Sequence, residues 1–311
     1  MSRELKAQDW FRGFPLAVER REPQGPFEPH SHEFSEIVLI TSGSGLHVTE
    51  RESWPLAAGD VFVIGGPRAH EYRDMAQLCL VNVLFERERL DLQLDDLVTL
   101  PGYHALFTLE PAWRKRHSFE SRLHLSPQQL SAALAIVERM EEELGARPPG
   151  FGFLVRAEFM RLIGHLSRCY EGAQNPDSRA LLRIGKAISH LEKNYAESIT
   201  VDELAAIAHM SRRSFIRAFE AAIGHAPIEY LNILRINHAA SLLRGTDDTV
   251  TEIAFRVGFS DSNYFARRFH AAMGATPREY RKSHLPISSS TPSRHGAFPN
   301  PYAATTAARV A

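Results

Sequence analysis

The sequence predicts a multidomain protein: an N-terminal all-β barrel with a helical segment, followed by an all-α domain of two helix-turn-helix units. Two observations predict this class. Short apolar runs separated by glycine and proline turns occupy residues 14–85, a pattern typical of a sandwich or barrel. Residues 200–280 repeat one helical pattern twice. A length of 311 residues accommodates both at about 100–200 residues per domain.

Turn residues divide the β region into separate strands. The predicted strands, in order, are Leu16–Glu19, Glu36–Thr41, Gly45–Thr49, Val61–Ile64 and Leu78–Phe85. We expect a hairpin at Ser42–Gly45, because glycines there punctuate two apolar runs. Further turns are expected at 56–60 and 65–67.

Helical spacing begins at Ser126, which has the chemistry of an N-cap, with Pro127 at the first helical position. Apolar residues then recur at 3.6-residue intervals as far as Leu144. A second helix is predicted from about Phe153 to Tyr170. This helical pair packs either on the barrel or against its copy in a dimer.

Composition restricts the class of protein. Residues 1–176 carry a net charge of −6 and residues 177–285 a net charge of +3, a mild indication of a polyanionic partner for the second half. Cys79 and Cys169 lie in apolar stretches and are expected in the core, without a disulfide. The start of the chain lacks an apolar signal segment and no run is long enough for a membrane span, so we expect a soluble protein of the cytoplasm.

The repeat opens with the same capping chemistry in both copies. Thr200 precedes Glu203 by three residues, and Thr249 precedes Glu252 by three residues. This is the capping-box pattern, in which the threonine accepts from one backbone amide and the glutamate from the other. We therefore expect a helix to begin at each threonine.

Each copy then continues through a short turn into a second helix. We expect Ser211 and Ser260 to be the N-caps of these second helices. Both second helices share an apolar face, with Phe215 and Phe219 in the first copy and Phe265 and Phe269 in the second. A glycine ends each helix, and a proline follows three residues later: Gly224 and Pro227, then Gly274 and Pro277. A short helix, a tight turn and a second capped helix form a helix-turn-helix unit, whose second helix enters the DNA major groove.

The solvent side of both second helices carries groups that bond base edges and phosphates. The candidate DNA-binding residues are Arg212, Arg213, Ser214, Arg217, Asp261, Ser262, Asn263, Arg267 and Arg268. Arginine bonds guanine, asparagine pairs with adenine and aspartate accepts from cytosine, and some arginines instead contact phosphate. The alternative is a protein-binding helical repeat with a solvated basic face.

Four polar residues stand out in the apolar front domain: His30, His32, Glu36 and His70. The first three share the parity that places side chains on one face of a strand. Three histidines and a glutamate suit a divalent metal. They equally suit a metal-free pocket that hydrogen-bonds a small ligand such as a sugar. A third interpretation is that some of these histidines face solvent.

The stretch Ile253–Phe269, followed by Gly274 and Pro277, resembles the DNA-binding domain of AraC/XylS-type regulators, and the resemblance extends over about 180–283. The front half is similar to the cupin-type sensor domain of such regulators. There the four polar residues match the cupin ligand pattern, with slightly altered spacing after Gly25 and around Pro67. More narrowly, 29–38 and 78–84 look like the L-rhamnose operon regulators.

The resemblance implies a transcription regulator with no enzymatic activity, an activator of a sugar catabolic operon. Its implied partners are promoter DNA, a small-molecule effector that is a sugar, RNA polymerase and a second copy of the chain in a homodimer. Because such sensors bind effector without metal, we expect neither a metal nor a cofactor. Two rival classes stay open: a metal-dependent cupin enzyme, and an architectural DNA binder.

The expected domains follow the chain in order: a cupin-like effector-sensing domain (1–120), a helical dimerisation segment (121–172), a linker (173–178), an AraC-type DNA-binding domain (179–285) and a disordered tail (286–311). The tail is polar and then alanine-rich, so it cannot bury a core.

The two helix-turn-helix units are predicted to act together on one DNA half-site. The intervening Pro227–Leu243 segment spans roughly 26 Å as a helix, a spacer suited to recognition helices about one DNA turn, roughly 34 Å, apart. Deleting either unit should therefore weaken specific binding in an anisotropy titration. Unchanged binding after either deletion would contradict joint action.

Overall fold

A computed structural model of the chain describes residues 3–49, 52–65, 68–90, 92, 94–113, 123–172 and 176–284. The expected tail (286–311) and the first part of the expected linker (173–175) lie outside these residues. The chain divides into two compact units, Met1–Gly185 and Lys186–Ala311.

The first unit is built on one eight-stranded sheet. Its strands are β1 (Arg3–Leu5), β2 (Leu16–Arg21), β3 (His30–His32), β4 (Ser35–Thr49), β5 (Ser53–Ala57), β6 (Asp60–Gly65), β7 (His70–Phe85) and β8 (Leu123–His124). The order is β1-β3-β7-β4-β6-β8, with β2 paired to β7 and β5 paired to β4. The β1–β3 pair is parallel and the others are antiparallel. The predicted β-rich front domain is confirmed.

The hairpin predicted at Ser42–Gly45 is wrong, because β4 runs through these residues without turning. The strand stays paired with β7. Its register changes at β-bulges or irregularities between Ile40 and Leu46, and the glycines lie within this irregular stretch. Gly43 has a φ of +73°, and a Cβ there would lie 2.0 Å from the Gln77 carbonyl oxygen. These glycines therefore serve a bulged strand, where a close backbone approach excludes any side chain.

Apolar residues fill the interior of the first unit. Ile37–Ile40 in the middle of β4 is fully buried, so both faces of the sheet are covered there. One face packs with Trp54 and Phe62 in a core cluster. Four consecutive buried apolar residues explain why period-2 alternation is absent from this strand.

Helices complete the first unit. They are α1 (Ala7–Trp10), α2 (Arg87–Leu90), a 3₁₀ helix (Asp95–Thr99), α3 (Pro101–Tyr103), a π-helix (His104–Leu109), α4 (Glu110–Trp113), α5 (Pro127–Ala146) and α6 (Phe151–Glu171). Ser126 caps α5 in a full capping box with Gln129, and Pro127 follows it, as predicted. The guanidinium of Arg139 on α5 bonds both carboxylate oxygens of Glu158 on α6, at 2.9 and 3.1 Å.

Among the described residues of the second unit, all regular secondary structure is helical. Its helices are α8 (Val201–Ile207), α9 (Arg212–Ile223), α10 (Pro227–Gly245), α11 (Val250–Arg256), α12 (Ser262–Met273) and α13 (Pro277–His284). A further helix, α7 (Pro176–Lys193), begins inside the segment expected as a linker and continues across the division between the units.

Two helix-turn-helix units, α8–α9 and α11–α12, confirm the predicted repeat. Gly224 and Gly274 end α9 and α12 in the left-handed conformation. Thr249 and Glu252 form the complete capping box. The first copy forms only half of it: the Thr200 side chain accepts from the Glu203 amide, and the Glu203 carboxylate lies 3.1 Å from His190 Nε2 instead.

The N-cap of α12 corrects a second prediction. Ser260 is not the cap; the Asp261 carboxylate accepts from the backbone N–H of Tyr264. In the first copy Ser211 is the cap, as predicted. One residue is inserted in the second turn, so the position equivalent to Ser211 is Asp261. An aspartate at a helix N-terminus also interacts favourably with the helix dipole.

We expect Asp261→Ala to lower the free energy of unfolding by about 1 kcal/mol, because it removes the cap of α12. Ser260→Ala, one residue away, should change it by less than about 0.5 kcal/mol. Chemical denaturation of the two variants beside the wild type measures both values. Equal losses would contradict the assignment of the cap.

Candidate functional site

The four polar residues of the front domain come together where β3, β4 and β7 meet. His30 on β3 lies opposite His70 on β7 in the strand register, and Glu36 lies at the start of β4. His30, His32, Glu36 and His70 are 8%, 0%, 3% and 2% exposed. The possibility that some of these histidines face solvent is therefore excluded.

Backbone carbonyls hold three of the imidazole rings in a fixed orientation. His32 Nδ1 donates to the Phe34 carbonyl at 2.6 Å, and His70 Nδ1 donates to the Arg68 carbonyl at 3.1 Å. His30 Nδ1 donates to the Glu28 carbonyl at 3.0 Å. A carbonyl only accepts, so these contacts place the proton on Nδ1 and leave the Nε2 lone pair available in each neutral ring.

The Nε2 atoms of two histidines point at one carboxylate. Glu36 Oε2 lies 3.7 Å from His32 Nε2, and Glu36 Oε1 lies 3.5 Å from His70 Nε2. Both separations exceed the length of a hydrogen bond. Within the described part of the chain, both Nε2 atoms and Glu36 Oε1 have no hydrogen-bond partner.

Burial and mutual charge set the protonation of this cluster. Burial by itself raises the pKa of Glu36, but the two facing imidazoles outweigh it and hold that pKa well below its usual range. Burial lowers the pKa of His32, while the Glu36 carboxylate raises it by more, so the net shift is upward. Burial, helped by the charge of His70, lowers the pKa of His30 to about 4, so His30 is neutral at pH 7.

A pocket opens beside this cluster, with an empty volume of about 470 Å³ that includes open solvent at its mouth. His30, Glu36 and His70 line it, whereas His32 is not part of its wall. The other lining residues combine polar groups with aromatic and aliphatic surface: Leu5, Trp10, Glu19, Arg21, Gln24, Phe27, Phe34, Tyr72, Asn82 and Leu84.

Sequence reasoning missed the polar residues of the pocket wall, although two signals pointed to them. Asn82 interrupts the otherwise apolar run Leu78–Phe85. Glu19 and Arg21 share one parity on β2, and their charged groups lie 3.4 Å apart. Tyr72 carried no such signal, because the predicted final strand began only at Leu78.

Tyr72 is the most buried of these pocket residues. Tyr72 is 7% exposed, and its oxygen lacks a hydrogen-bond partner among the residues that the structure describes. Burial, and then the charge of Glu36, raises the pKa of this phenol well above its usual value. The group is therefore a neutral hydroxyl, able to donate to a ligand.

The candidate DNA-binding residues lie on equivalent faces of α9 and α12. Six of them are exposed: Arg212, Arg213, Arg217, Asp261, Asn263 and Arg267. The other three are half-buried: Ser214, Ser262 and Arg268. The buried phenylalanines of both helices hold the opposite faces in the core. Tyr264, 42% exposed on α12, belongs to the same surface and was not predicted.

Two candidates already have partners within the protein. Arg212 Nη1 donates to Asp202 Oδ2 at 2.6 Å, with both side chains largely exposed. An exposed pair of this kind is weak, so phosphate can compete for the guanidinium. Asp261 caps α12 with one carboxylate oxygen, which leaves its other oxygen to accept from a base.

Both halves of the chain match known families. A family model described as an AraC-like ligand binding domain matches residues 15–184, more than half of the chain. A second, described as a helix-turn-helix domain, matches residues 204–283. The chain belongs to the AraC family of transcription regulators. The resemblance of both halves to this family is confirmed.

Relatives of this AraC-family chain span nearly its whole length. The HTH-type transcriptional activator RhaS of Enterobacter sp. (strain 638) is 32% identical over 270 residues, covering 86% of this chain and 92% of that protein. The activator RhaR of the same strain is 31% identical over 282 residues, covering 89% and 95%. A transcriptional regulator structure from Chromobacterium violaceum, with an AraC-type DNA-binding domain, is 31% identical over 33% of this chain and 93% of its own, with a TM-score of 0.32.

Among the described helices of this AraC-family chain, none is both long enough and apolar enough to cross a membrane.

Tyr72→Phe should leave the free energy of unfolding of the effector-free protein unchanged or raise it by about 1 kcal/mol, since it removes a buried hydroxyl that has no partner among the described residues. Tyr170→Phe is the matched control. The Tyr170 hydroxyl donates to the buried Glu110 carboxylate at 3.0 Å, so its loss should cost roughly 1.5–3 kcal/mol. Urea denaturation measures both values, and an equal loss in the two variants would contradict the description of Tyr72.

Proposed function

We propose that this protein is an effector-responsive activator of a sugar catabolic operon, with L-rhamnose as the first effector to test. The support comes from relatives named transcriptional activators RhaS and RhaR, which align over 92% and 95% of their own lengths. A match of this extent includes both the ligand-binding half and the DNA-binding half. A chain with both halves can couple ligand binding to DNA binding.

The pocket of the front domain is the proposed effector site, formed around His30, His32, Glu36 and His70. The observation that carries this proposal is a group of buried polar atoms, beside an open cavity, that have no hydrogen-bond partner among the described residues. Such atoms cost stability unless something bonds them. A sugar offers hydroxyls to these groups, while its C–H faces pack on the aromatic residues of the wall.

DNA recognition is assigned to the exposed faces of α9 and α12. Arg212, Arg213, Ser214 and Arg217 serve the first unit, and Asp261, Ser262, Asn263, Arg267 and Arg268 serve the second. Asp261, Asn263 and the exposed arginines have side chains suited to base edges, and the arginines also suit phosphates. The DNA-binding domain is assigned to 179–285, as expected from the sequence, and the first residues of that range belong to α7, which crosses the division between the units.

Further partners complete the proposal. The helices in 121–172 join two copies into a homodimer, and the DNA-bound dimer contacts RNA polymerase in the cytoplasm. The protein carries out no enzymatic reaction; it shifts between states. For an effector to switch it, the pocket must bind that effector more tightly in the active state than in the inactive one.

Fluorescence anisotropy on the upstream DNA of its own gene tests the proposal, with scrambled DNA as the control. We expect preference for the upstream DNA that strengthens when L-rhamnose is added.

Asn263→Ala should lower specific affinity by about tenfold or more, since a bidentate base contact is worth about 1–3 kcal/mol. Arg89→Ala, on an exposed side chain of α2 outside the pocket and outside 121–172, is the matched control and should have no effect on DNA affinity.

The possible outcomes separate the parts of the proposal. A preference that rhamnose leaves unchanged would keep the regulator and reject rhamnose as its effector. Equal binding to upstream and scrambled DNA, with steep salt dependence, would contradict sequence-specific regulation and favour an architectural role.

A further inference from the structure

The turn formed by residues 195–197 follows α7 and is anchored to the first helix-turn-helix unit. On α7, the Glu192 carboxylate accepts from the Tyr230 hydroxyl of α10 at 3.0 Å. One turn earlier, His190 Nε2 lies 3.1 Å from the Glu203 carboxylate of α8. Because α7 is bonded on one side of the turn and α8 begins on the other, the 195–197 turn is fixed to the first helix-turn-helix unit.

The same turn packs on the second helix-turn-helix unit. The Tyr195 ring lies against the core cluster that α10, α11 and α12 form. It also stacks on the His238 ring of α10, with centroids 3.8 Å apart and planes inclined by 2°. Next to it, Ala196 approaches the turn between α11 and α12, where a Cβ on Gly258 would lie 2.5 Å from the Ala196 carbonyl oxygen. The 195–197 turn therefore bridges the two helix-turn-helix units.

Gly258 occupies the position that makes this approach possible. The equivalent residue in the turn of the first helix-turn-helix unit is His209, and both residues have a positive φ, +51° for His209 and +92° for Gly258. The first turn thus accommodates a side chain in the left-handed region. At Gly258 the backbone of Ala196 adds a second requirement, because any Cβ would overlap it.

Arg235, in the middle of α10, holds the bridge in place. Its Nε donates to the Tyr195 carbonyl and its Nη2 donates to the Glu197 carbonyl, both at 2.7 Å. The guanidinium carbon lies 5.7 Å from the centre of the Phe259 ring, in the turn of the second helix-turn-helix unit, within the range of a cation–π contact. Hydrogen bonds from a charged donor are the stronger kind. One side chain therefore contacts both the bridging turn and the second unit.

The bridge supplements α10, the helix that both units share. Near its start, Tyr230 meets Phe219 of α9 with ring centroids 5.8 Å apart. Near its end, Ala239 and Leu243 belong to the core cluster of the second helix-turn-helix unit. Units attached through one helix can still tilt as that helix bends. A second attachment away from the helix axis removes this freedom, and the 195–197 turn is such an attachment.

We propose that Arg235 is a positioning residue that fixes the separation of α9 and α12, and thereby selects the distance between the two DNA segments that these helices read. This rests on the proposed function, since it requires sequence-specific recognition by both helices. Each base pair inserted between the segments moves the second one by about 3.4 Å and rotates it by roughly 35°. A rigid joint cannot follow that displacement, whereas a loose joint follows it in part.

Fluorescence anisotropy with a series of DNA probes tests this role. Footprinting first maps the two segments that the full-length protein protects in the upstream DNA of its own gene. The probes then carry zero, one or two base pairs inserted between these segments. We expect the wild type to lose about tenfold or more in affinity on insertion, because one helix is displaced from its base edges.

Arg235→Ala should bind the uninserted probe more weakly, because its recognition helices are no longer preorganised. It should lose less than about threefold in affinity on insertion. Arg235→Lys keeps the charge but lacks the planar fork that bonds two carbonyls, so its loss should lie between those of the wild type and Arg235→Ala. Far-UV circular dichroism and the melting temperature establish that each variant is folded, and Arg235→Lys decides the matter if Arg235→Ala is not.

Arg281→Ala is the matched control. Arg281 also donates to two backbone carbonyls, those of Leu243 and Asp248, but both belong to the second helix-turn-helix unit. Its removal costs similar hydrogen bonds without touching the bridge. We therefore expect the loss on insertion to stay at the wild-type value, whatever happens to the overall affinity.

An insertion penalty in folded Arg235→Ala or Arg235→Lys equal to that of the wild type would overturn the proposal. An equally reduced penalty in Arg281→Ala would overturn it too, since the effect would then follow from general destabilisation. A wild type that binds upstream and scrambled DNA equally would contradict the proposed function and this role together. A clear preference for upstream DNA with no insertion penalty would contradict this role alone.

Discussion

Antiparallel pairing of β4 with β7 is the constraint on which the front domain depends. The two strands run side by side from Ser35 opposite Phe85 to Thr49 opposite His70. Strand pairing of this length fixes register, and a slip of one residue would exchange the two faces. The bulge around Gly43 changes the register inside the pair. The part of β4 that contains Glu36 and the part that pairs with His70 therefore have different registers.

This register is also what assembles the pocket. Asn82 pairs with Val38, two residues from Glu36, and Tyr72 pairs with His47 at the other end of the strand. Pairing of β3 with β7 then places His30 opposite His70. Side chains from three strands thereby enclose polar atoms that no single segment satisfies. A fold that leaves buried polar atoms without partners loses stability, and a ligand that bonds them recovers it.

The DNA-binding half depends on local chemistry instead. Caps at Ser211 and Asp261 begin the two second helices, and glycines in the left-handed conformation end them. Each helix then buries its phenylalanine face. With the start, the end and the buried face fixed by neighbouring residues, the exposed face is fixed too. The same exposure pattern therefore recurs on α9 and α12, although the exposed residues themselves differ.

The sequence by itself determined the fold class, the helical repeat, most of the strand positions and the identity of the four clustered polar residues. These features rest on local signals: capping residues, turn residues and the period of apolar positions. Local signals failed at Ser42–Gly45, where glycines that usually mark a hairpin instead permit a bulge, and at Ser260, where one inserted residue moved the cap to Asp261.

Only the tertiary structure decided which atoms of the cluster meet. Spacing treated His30, His32, Glu36 and His70 as one equivalent group, yet the ligand atoms of only three converge, while the His30 ring packs against the ring of His70. The tertiary structure also placed Tyr72 in the pocket wall. The reason is physical: contacts between strands distant in sequence are set by register and by the orientation of each ring toward a backbone carbonyl, and neither is encoded in the spacing of residues along one strand.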